Sequence, residues 1–255
     1  MLRKIEDRGA HEMRQRAQQR ASAVFRYGIA AGYCLRDPAA DLRGAFTAPK
    51  VTSYAALGEK DLPDFFAKVG AYEGEPVTRL ALRLLALTFL RTVELRGAEW
   101  AEFDTARAEW RIPAERMKMR EPHIVPLSRQ ALAVLEELRA LTGGGRFALP
   151  QRSNAQKCMS ENTILYALYR MGFHSRATGH GFRATASTIL NELGFKADVI
   201  ERQLAHVERN KVRAAYNRAQ YLPERVKMMQ SWADLLDALA QGGTKIIAGR
   251  FGKAA

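Results

Sequence analysis

The stretch TGHGFRATASTILNE, residues 178–192, decides the reading of this chain. Gly179 and Gly181 break the preceding segment, and a helix is predicted over 180–193. His180 and Arg183 stand three residues apart at its start and so share one face. A helix N-terminus offers free N–H groups and the positive end of its dipole to an anion. A histidine beside an arginine there can handle a proton and a negative charge together. The same spacing also suits a plain capped helix with a surface His and Arg, because HxxR is a short motif.

Toward the C-terminus, a helix over 196–206 ends in Gln203-Leu204-Ala205-His206. Another, over 210–217, carries VRAAYNR, in which Tyr216 has Arg213 and Arg218 as basic neighbours. A phenol with a pKa of about 10 is a poor nucleophile unless cations or a base assist it. Taken alone, Tyr216 equally fits a half-buried aromatic on an amphipathic helix. The last helix, 222–240, places Trp232, Leu235, Leu236 and Leu239 on one face, for the core or for a neighbouring subunit, and a subunit contact is expected there. The tail 242–255 is basic and expected to be mobile.

Toward the N-terminus, the apolar run Leu84 to Leu90 closes a helix over 76–90 and leads directly into Arg91. A charge at the end of such a run is costly if buried without a partner. Glu94, in the next helix (92–98), lies three residues on and can hold the guanidinium. By itself this reads as a structural ion pair. A small β region follows. Phe103-Asp104 and Trp110-Arg111-Ile112 flank a turn, and His123-Ile124-Val125 returns after the loop Pro113 to Pro122, with β-branched and aromatic residues between prolines. Helices over 60–72, 128–141 and 161–171 complete a predominantly helical α+β unit. Upstream, one helix is predicted over 6–32, with Val24, Phe25, Ile29 and Ala30 as apolar positions, and Gly32 and Asp37-Pro38 ending it. Residues 36–58 are the linker candidate, with a boundary near residue 52.

Composition narrows the classes. The 255 residues are 47% hydrophobic, enough for one full core and a smaller second unit. Forty Lys and Arg against 27 Asp and Glu give a formal charge of +13, with pI near 10.0, so the natural partner is a polyanion. No apolar run is long enough to span a bilayer, and MLRKIEDRGAHEMRQR lacks the apolar stretch of a signal peptide. Cys34 and Cys158 form no CxxC pattern, so a reducing cytoplasm fits and no zinc site is expected.

Arg, then Lys in a hairpin, then HxxR, then His, then Tyr is a long ordered constellation. In this the chain resembles the tyrosine recombinases, and among them the prophage integrases of the satellite-phage type. The resemblance rests on LTFLRTVELRGAEW, ERMKMREPHIVPLS, HGFRATASTILNE, IERQLAH and VRAAYNRAQYLPERVKMMQSWAD, and runs over residues 55–236. It implies the DNA breaking-rejoining catalytic fold with a small antiparallel sheet. It implies six catalytic residues: Arg91, Lys118, His180, Arg183, His206 and the nucleophile Tyr216, with Glu94 orienting Arg91. Arg116, Arg120, Arg213 and Arg218 are expected to contact DNA. Tyr221 is expected to pack before the last helix, Tyr166 and Tyr169 to serve as core or DNA-facing support, and His123 and His174 to be local polar residues, with His174 able to contact DNA. The implied activity is strand cleavage and rejoining through a 3′-phosphotyrosine, with neither metal, ATP nor other cofactor. Double-stranded DNA is the implied partner, with a homotetramer on paired sites and a monomer without DNA. On this view residues 1–52 are the last helices of a core-binding domain plus linker, 53–241 the catalytic domain and 242–255 the tail. Two rival readings are a non-recombining DNA-binding remnant and a type IB topoisomerase.

Overall fold

The computed structural model describes residues 1–48, 54–206 and 220–242. Tyr216, Arg213 and Arg218 therefore lie outside the described residues, as do the helix expected over 210–217, the boundary near residue 52 and nearly all of the tail. The chain divides into two compact units, Met1–Ser53 and Tyr54–Ala255.

In the first unit, α1 (Leu2–Glu6) and α2 (His11–Ala30) replace the single helix expected over 6–32. The chain turns between them because Gly9 adopts φ +72°, a conformation that glycine takes at no steric cost. Arg14 is buried and ties α2 down. It donates to Glu6 Oε2 at 3.0 Å and to the Thr47 carbonyl at 2.5 Å, and its guanidinium lies over the Phe46 ring. Val24, Tyr27, Ile29 and Leu35 are exposed.

The second unit holds the main core. Its helices are α3 (Leu62–Gly70), α4 (Pro76–Thr88), α5 (Thr92–Arg96), α6 (Arg129–Thr142), α7 (Thr163–Arg170), α8 (Gly181–Glu192), α9 (Ala197–Gln203) and α10 (Leu222–Ala240). Nine of the 13 residues of α4 are buried, so α4 is enclosed by its neighbours α3, α6, α7 and α10. The strands β1 (Phe103–Asp104), β2 (Glu109–Ile112) and β3 (His123–Pro126) form an antiparallel sheet in that order, with Trp110 opposite Val125. A second hairpin, β4 (Pro150–Gln151) with β5 (Asn154–Cys158), has no counterpart in the sequence expectations.

Helix α10 corrects one expectation. Trp232, Leu235 and Leu236 are each 1% exposed and Leu239 is 8% exposed, so their face is covered by the subunit's own core. The Trp232 indole donates to the Ala86 carbonyl at 2.9 Å and its ring meets Phe89 edge-on. A face committed to the core has no apolar surface left for a neighbouring subunit.

Candidate active site

Arg91 is positioned by the end of α4. Phe89 takes a left-handed φ of 40° there, unusual for a residue with a side chain, and turns the chain into α5. Arg91 then caps α5 with its backbone extended. Fully buried Glu94 grips it at both ends: Oε2 accepts the Arg91 backbone N–H at 3.0 Å and Oε1 accepts Nη1 at 2.6 Å.

The start of α8 supplies two more side chains. Thr178 Oγ1 accepts the Gly181 N–H at 3.0 Å, and His180 is the N-cap residue. The segment after Tyr54 lies directly against this turn. Ala55 O accepts the Thr178 N–H at 3.1 Å and Leu57 O accepts the Thr185 hydroxyl at 2.6 Å. A Cβ on Gly181 would fall on the Ala55 carbonyl oxygen, so glycine is required for the approach. The Tyr54 ring rests 4.6 Å from that of His180. Partial burial, then the charges of Arg183 and Arg91 with smaller contributions from His206 and Lys118, hold His180 below the usual imidazole range, so it is neutral at pH 7.

Arg183 points inward and is 4% exposed. It donates to the Phe89 carbonyl at 3.1 Å and the Leu204 carbonyl at 2.5 Å, and Nη2 lies 3.2 Å from His206 Nε2. Burial and the nearby Arg91 charge push its pKa down to about 10, which still leaves it charged at neutral pH. His206 follows α9 through Ala205, another left-handed residue (φ 49°). Its Nδ1 lies 2.7 Å from Glu201 Oε2. An arginine can only donate, so Nε2 accepts and Nδ1–H donates to the carboxylate; this tautomer is assigned from the partners. The neighbouring Ala205 carbonyl receives Arg91 Nη2 at 3.4 Å.

Lys118 sits exposed in the loop between β2 and β3, close enough for its charge to act on His180. Arg120, two residues on, is exposed at φ 53°. Arg116 does not share the exposure expected of a DNA contact. It pairs closely with both Glu102 oxygens and with the Glu94 carbonyl, and its side chain is 18% exposed. Its fork is satisfied inside the protein and joins the base of the Lys118 loop to the Arg91 turn. His123 is more than a local polar residue. It is 2% exposed, bonds the Gln203 carbonyl at 3.1 Å, and is pushed down to about 3 by burial and the charges of Arg225 and Arg202. His174 packs on Tyr169, whose ring is 4.4 Å away, and lies 2.9 Å from the Ser175 hydroxyl. Tyr221 packs partly buried against the core.

Five of the six expected catalytic positions therefore gather on one cationic face, and the sixth, Tyr216, lies outside the described residues. The sequence reading did not single out Glu201, Gln203, Arg225 or Tyr54. For Glu201 no helical signal was available, since a spacing of five does not share a helix face and it is the left-handed Ala205 beyond α9 that turns His206 back to it. A face of this kind holds an anion: two closely spaced guanidiniums, one buried, present forked donors to non-bridging oxygens, with a histidine and a lysine beside them. Among the described residues no three His, Cys, Asp or Glu side chains gather as metal ligands, and no helix is long and apolar enough to cross a membrane.

Comparison with known proteins shows the family. Residues 57–222 match the Phage integrase family and residues 1–45 the Phage integrase central domain. The chain is 44% identical to the integrase of Enterobacteria phage P4, over 92% of this chain and 57% of that protein. It is 40% identical to the prophage integrase IntA of Escherichia coli (strain K12), over 93% and 58%. It thus spans well under two thirds of the length of these two relatives. Among solved structures, a lambda integrase (75-356) dimer bound to a COC′ core site superposes with a TM-score of 0.64 at 17% identity, over 81% of this chain and 76% of that one. A lambda integrase tetramer bound to a Holliday junction gives 0.64 and 17%, over 82% and 63%. At that identity the likeness is one of fold.

Proposed function

The chain belongs to the Phage integrase family, with the satellite-phage and prophage enzymes as its relatives, and from that premise we propose that it is a tyrosine-type site-specific DNA recombinase. The observation that carries the proposal is the gathering of Arg91, Lys118, His180, Arg183 and His206 on one face, with Arg183 almost dry and bonded only to carbonyls and an imidazole among the described residues.

The chemistry follows from those groups. Tyr216 Oη attacks a backbone phosphorus, its P–O bond forms, and the bond to the 5′-oxygen breaks, leaving a 3′-phosphotyrosine and a 5′-hydroxyl. Negative charge builds on the non-bridging oxygens, and the forked donors of Arg91 and Arg183 meet it there. His206, held by Glu201 and accepting from Arg183, keeps that guanidinium directed at the same oxygens. Neutral His180 is the group able to accept the tyrosyl proton. Lys118 returns a proton to the departing 5′-oxygen from its exposed loop. The phosphotyrosine retains the energy of the broken ester, so the reverse attack by a 5′-hydroxyl reseals the strand without ATP. The partners we assign are duplex DNA and further copies of this chain, four on a pair of sites, in the cytoplasm where the chromosome lies.

The test is a nicked suicide duplex carrying the attachment core, in which the short fragment bearing the freed 5′-hydroxyl diffuses away. Wild type should trap a covalent adduct and Tyr216→Phe none. DNA binding with no wild-type adduct would reduce the chain to a binding module. Relaxation of plasmid without sequence preference would point to a topoisomerase.

A further inference from the structure

The segment 207–219, which carries Tyr216, is bracketed by two arginine–glutamine pairs that cross between its ends. Before it, α9 ends at Arg202 and Gln203; after it come Gln220 and, in the first turn of α10, Arg225. Arg202 reaches forward, donating Nε and Nη2 to Gln220 Oε1 at 3.0 and 2.6 Å. Arg225 reaches back, donating Nε and Nη2 to Gln203 Oε1 at 3.0 and 2.7 Å. Arg225 also bonds the Gln220 carbonyl through Nη1 at 3.4 Å and, through Nη2, the Ile124 carbonyl on β3.

We infer that Arg225, with Gln203, Arg202 and Gln220, forms a clasp that joins the end of α9 to the start of α10 and, through the Leu204, Ala205 and His206 that follow Gln203, positions the cationic face for the cleavage step. The inference rests on the recombinase reading above.

The cost of Arg225 is what singles it out. It is 0% exposed, and among the described residues its partners are Gln203 Oε1 and two backbone carbonyls, none of them a carboxylate. Burial followed by the charge of Arg202 pushes it down to about 9. Uncompensated buried cations are expensive. A leucine or methionine would fill the same core position without that cost. Only a guanidinium bonds acceptors on α9, on β3 and at the entry to α10 at once. Gln203 serves the same junction. It is 0% exposed, and its Nε2 has no partner among the described residues, so its acceptor oxygen is what the fold uses. The next residues of that turn carry on the register. The Leu204 carbonyl binds Arg183, the Ala205 carbonyl binds Arg91, and His206 completes the face. Shifting Gln203 therefore shifts the carbonyls and the imidazole that orient Arg183 and Arg91. Ile124 is on the return strand of the Lys118 hairpin, so the clasp also ties that loop to the same point.

The experiment measures single-turnover adduct formation at saturating protein, together with duplex affinity and thermal midpoint. Wild-type adduct is the control; its absence would fail the recombinase reading rather than the clasp. Arg225→Met should slow cleavage about 10- to 100-fold, the range of one charged hydrogen bond, with Kd changed less than about twofold. Arg225→Lys keeps the charge and loses the fork, so it should stay slow; wild-type cleavage by this variant would make the effect one of charge and overturn the clasp. Gln203→Leu combined with Arg225→Met replaces both partners by apolar groups and should recover the thermal midpoint while cleavage stays low. Cleavage recovering in step with the midpoint would show a merely structural role. Should the buried variants not fold, exposed and uncharged Gln220→Ala carries the test. It should slow cleavage about three- to tenfold at an unchanged midpoint, and a wild-type rate would sink the proposal.

Discussion

Replacing Glu94 with glutamine exchanges one oxygen of a fully buried carboxylate for an amide nitrogen and should disable the face it supports. Both carboxylate oxygens accept from Arg91, one from the guanidinium at 2.6 Å and one from the backbone N–H at 3.0 Å. Glutamine has a single acceptor oxygen, so its amide NH2 must face a donor. One bond is lost, and Arg91 loses its counter-charge while its side chain is 17% exposed. Removing one partner of a fully buried pair costs about 3–5 kcal/mol. Here the shape and one acceptor survive and water reaches the arginine, so about 2–3 kcal/mol is expected, the scale of a charged hydrogen bond. With a urea dependence of about 2 kcal/mol/M this lowers the unfolding midpoint by about 1 M. The effect on cleavage should exceed the effect on binding, because the charge of Arg91 remains while its direction is lost. A misdirected donor at a developing oxyanion is worth about 100- to 1,000-fold in rate. Single-turnover cleavage of the suicide duplex should fall by that factor, with Kd changed less than about threefold. Glu94→Asp, which keeps the charge and shortens the reach, should fall between. Adduct formation by Glu94→Gln within about threefold of wild type would refute the reasoning, as would a loss of rate matched by an equal loss of affinity.

Three further outcomes are expected. Gly181→Ala drives a methyl into the Ala55 carbonyl; overpacking of this kind costs about 1–3 kcal/mol, and urea unfolding should show it together with slower cleavage, since His180 is the neighbouring residue. His123 has a folded-state pKa of about 3 against about 6.5 unfolded, so the unfolded chain binds the extra proton between those values and stability falls as pH drops through that window. At pH 5 the loss is about 1.5 pH units at 1.36 kcal/mol each, roughly 2 kcal/mol, and a wild-type minus His123→Gln difference that stays flat between pH 7.5 and 5 would contradict it. Ala205 is left-handed, so Ala205→Val should destabilise by about 1–2 kcal/mol while Ala205→Gly is tolerated within about 1 kcal/mol, as thermal midpoints will report.

The parts of the site that could be read in the sequence are those built from local spacing. Glu94 follows Arg91 by three residues and Arg183 follows His180 by three, and helical geometry alone brings each pair to one side. The β2–β3 hairpin was legible because aromatic and β-branched residues stand between prolines. The rest depends on non-local contacts or on backbone states that these residue types do not announce. Left-handed turns are normally signalled by glycine or asparagine, whereas Phe89 and Ala205 carry none of that signal and yet direct Arg91 and His206. Arg116 reads as a solvated cation on an exposed loop, but Glu102, 14 residues earlier, captures it. Arg225 reads as an ordinary surface charge of an amphipathic helix, because arginines are rarely buried; only the folded positions of Gln203 and Ile124 make it internal. Residues 150–158, PQRSNAQKC, lack the apolar alternation of a half-buried strand because most of that hairpin faces solvent.

The manner in which the arginines are held explains why this face waits for an anion. Had each guanidinium been paired with a carboxylate, the fold would be as well ordered and its positive charge would be cancelled. Among the described residues of the face, Arg91 has such a partner in Glu94, and His206 has Glu201. Arg183 is fixed by the Phe89 and Leu204 carbonyls and by the His206 ring, which set its direction without neutralising it. Arg225 is fixed in the same way. Carbonyl oxygens give geometry and leave the charge in place, and a partly dry environment strengthens whatever charge remains. The consecutive residues 203–206 carry half of these acceptors, so a single turn helps set the orientation of both arginines and the histidine. In the proposed reaction, a phosphodiester whose oxygens gain charge during attack would supply the missing negative partner, and the protein would not need to reorganise to receive it.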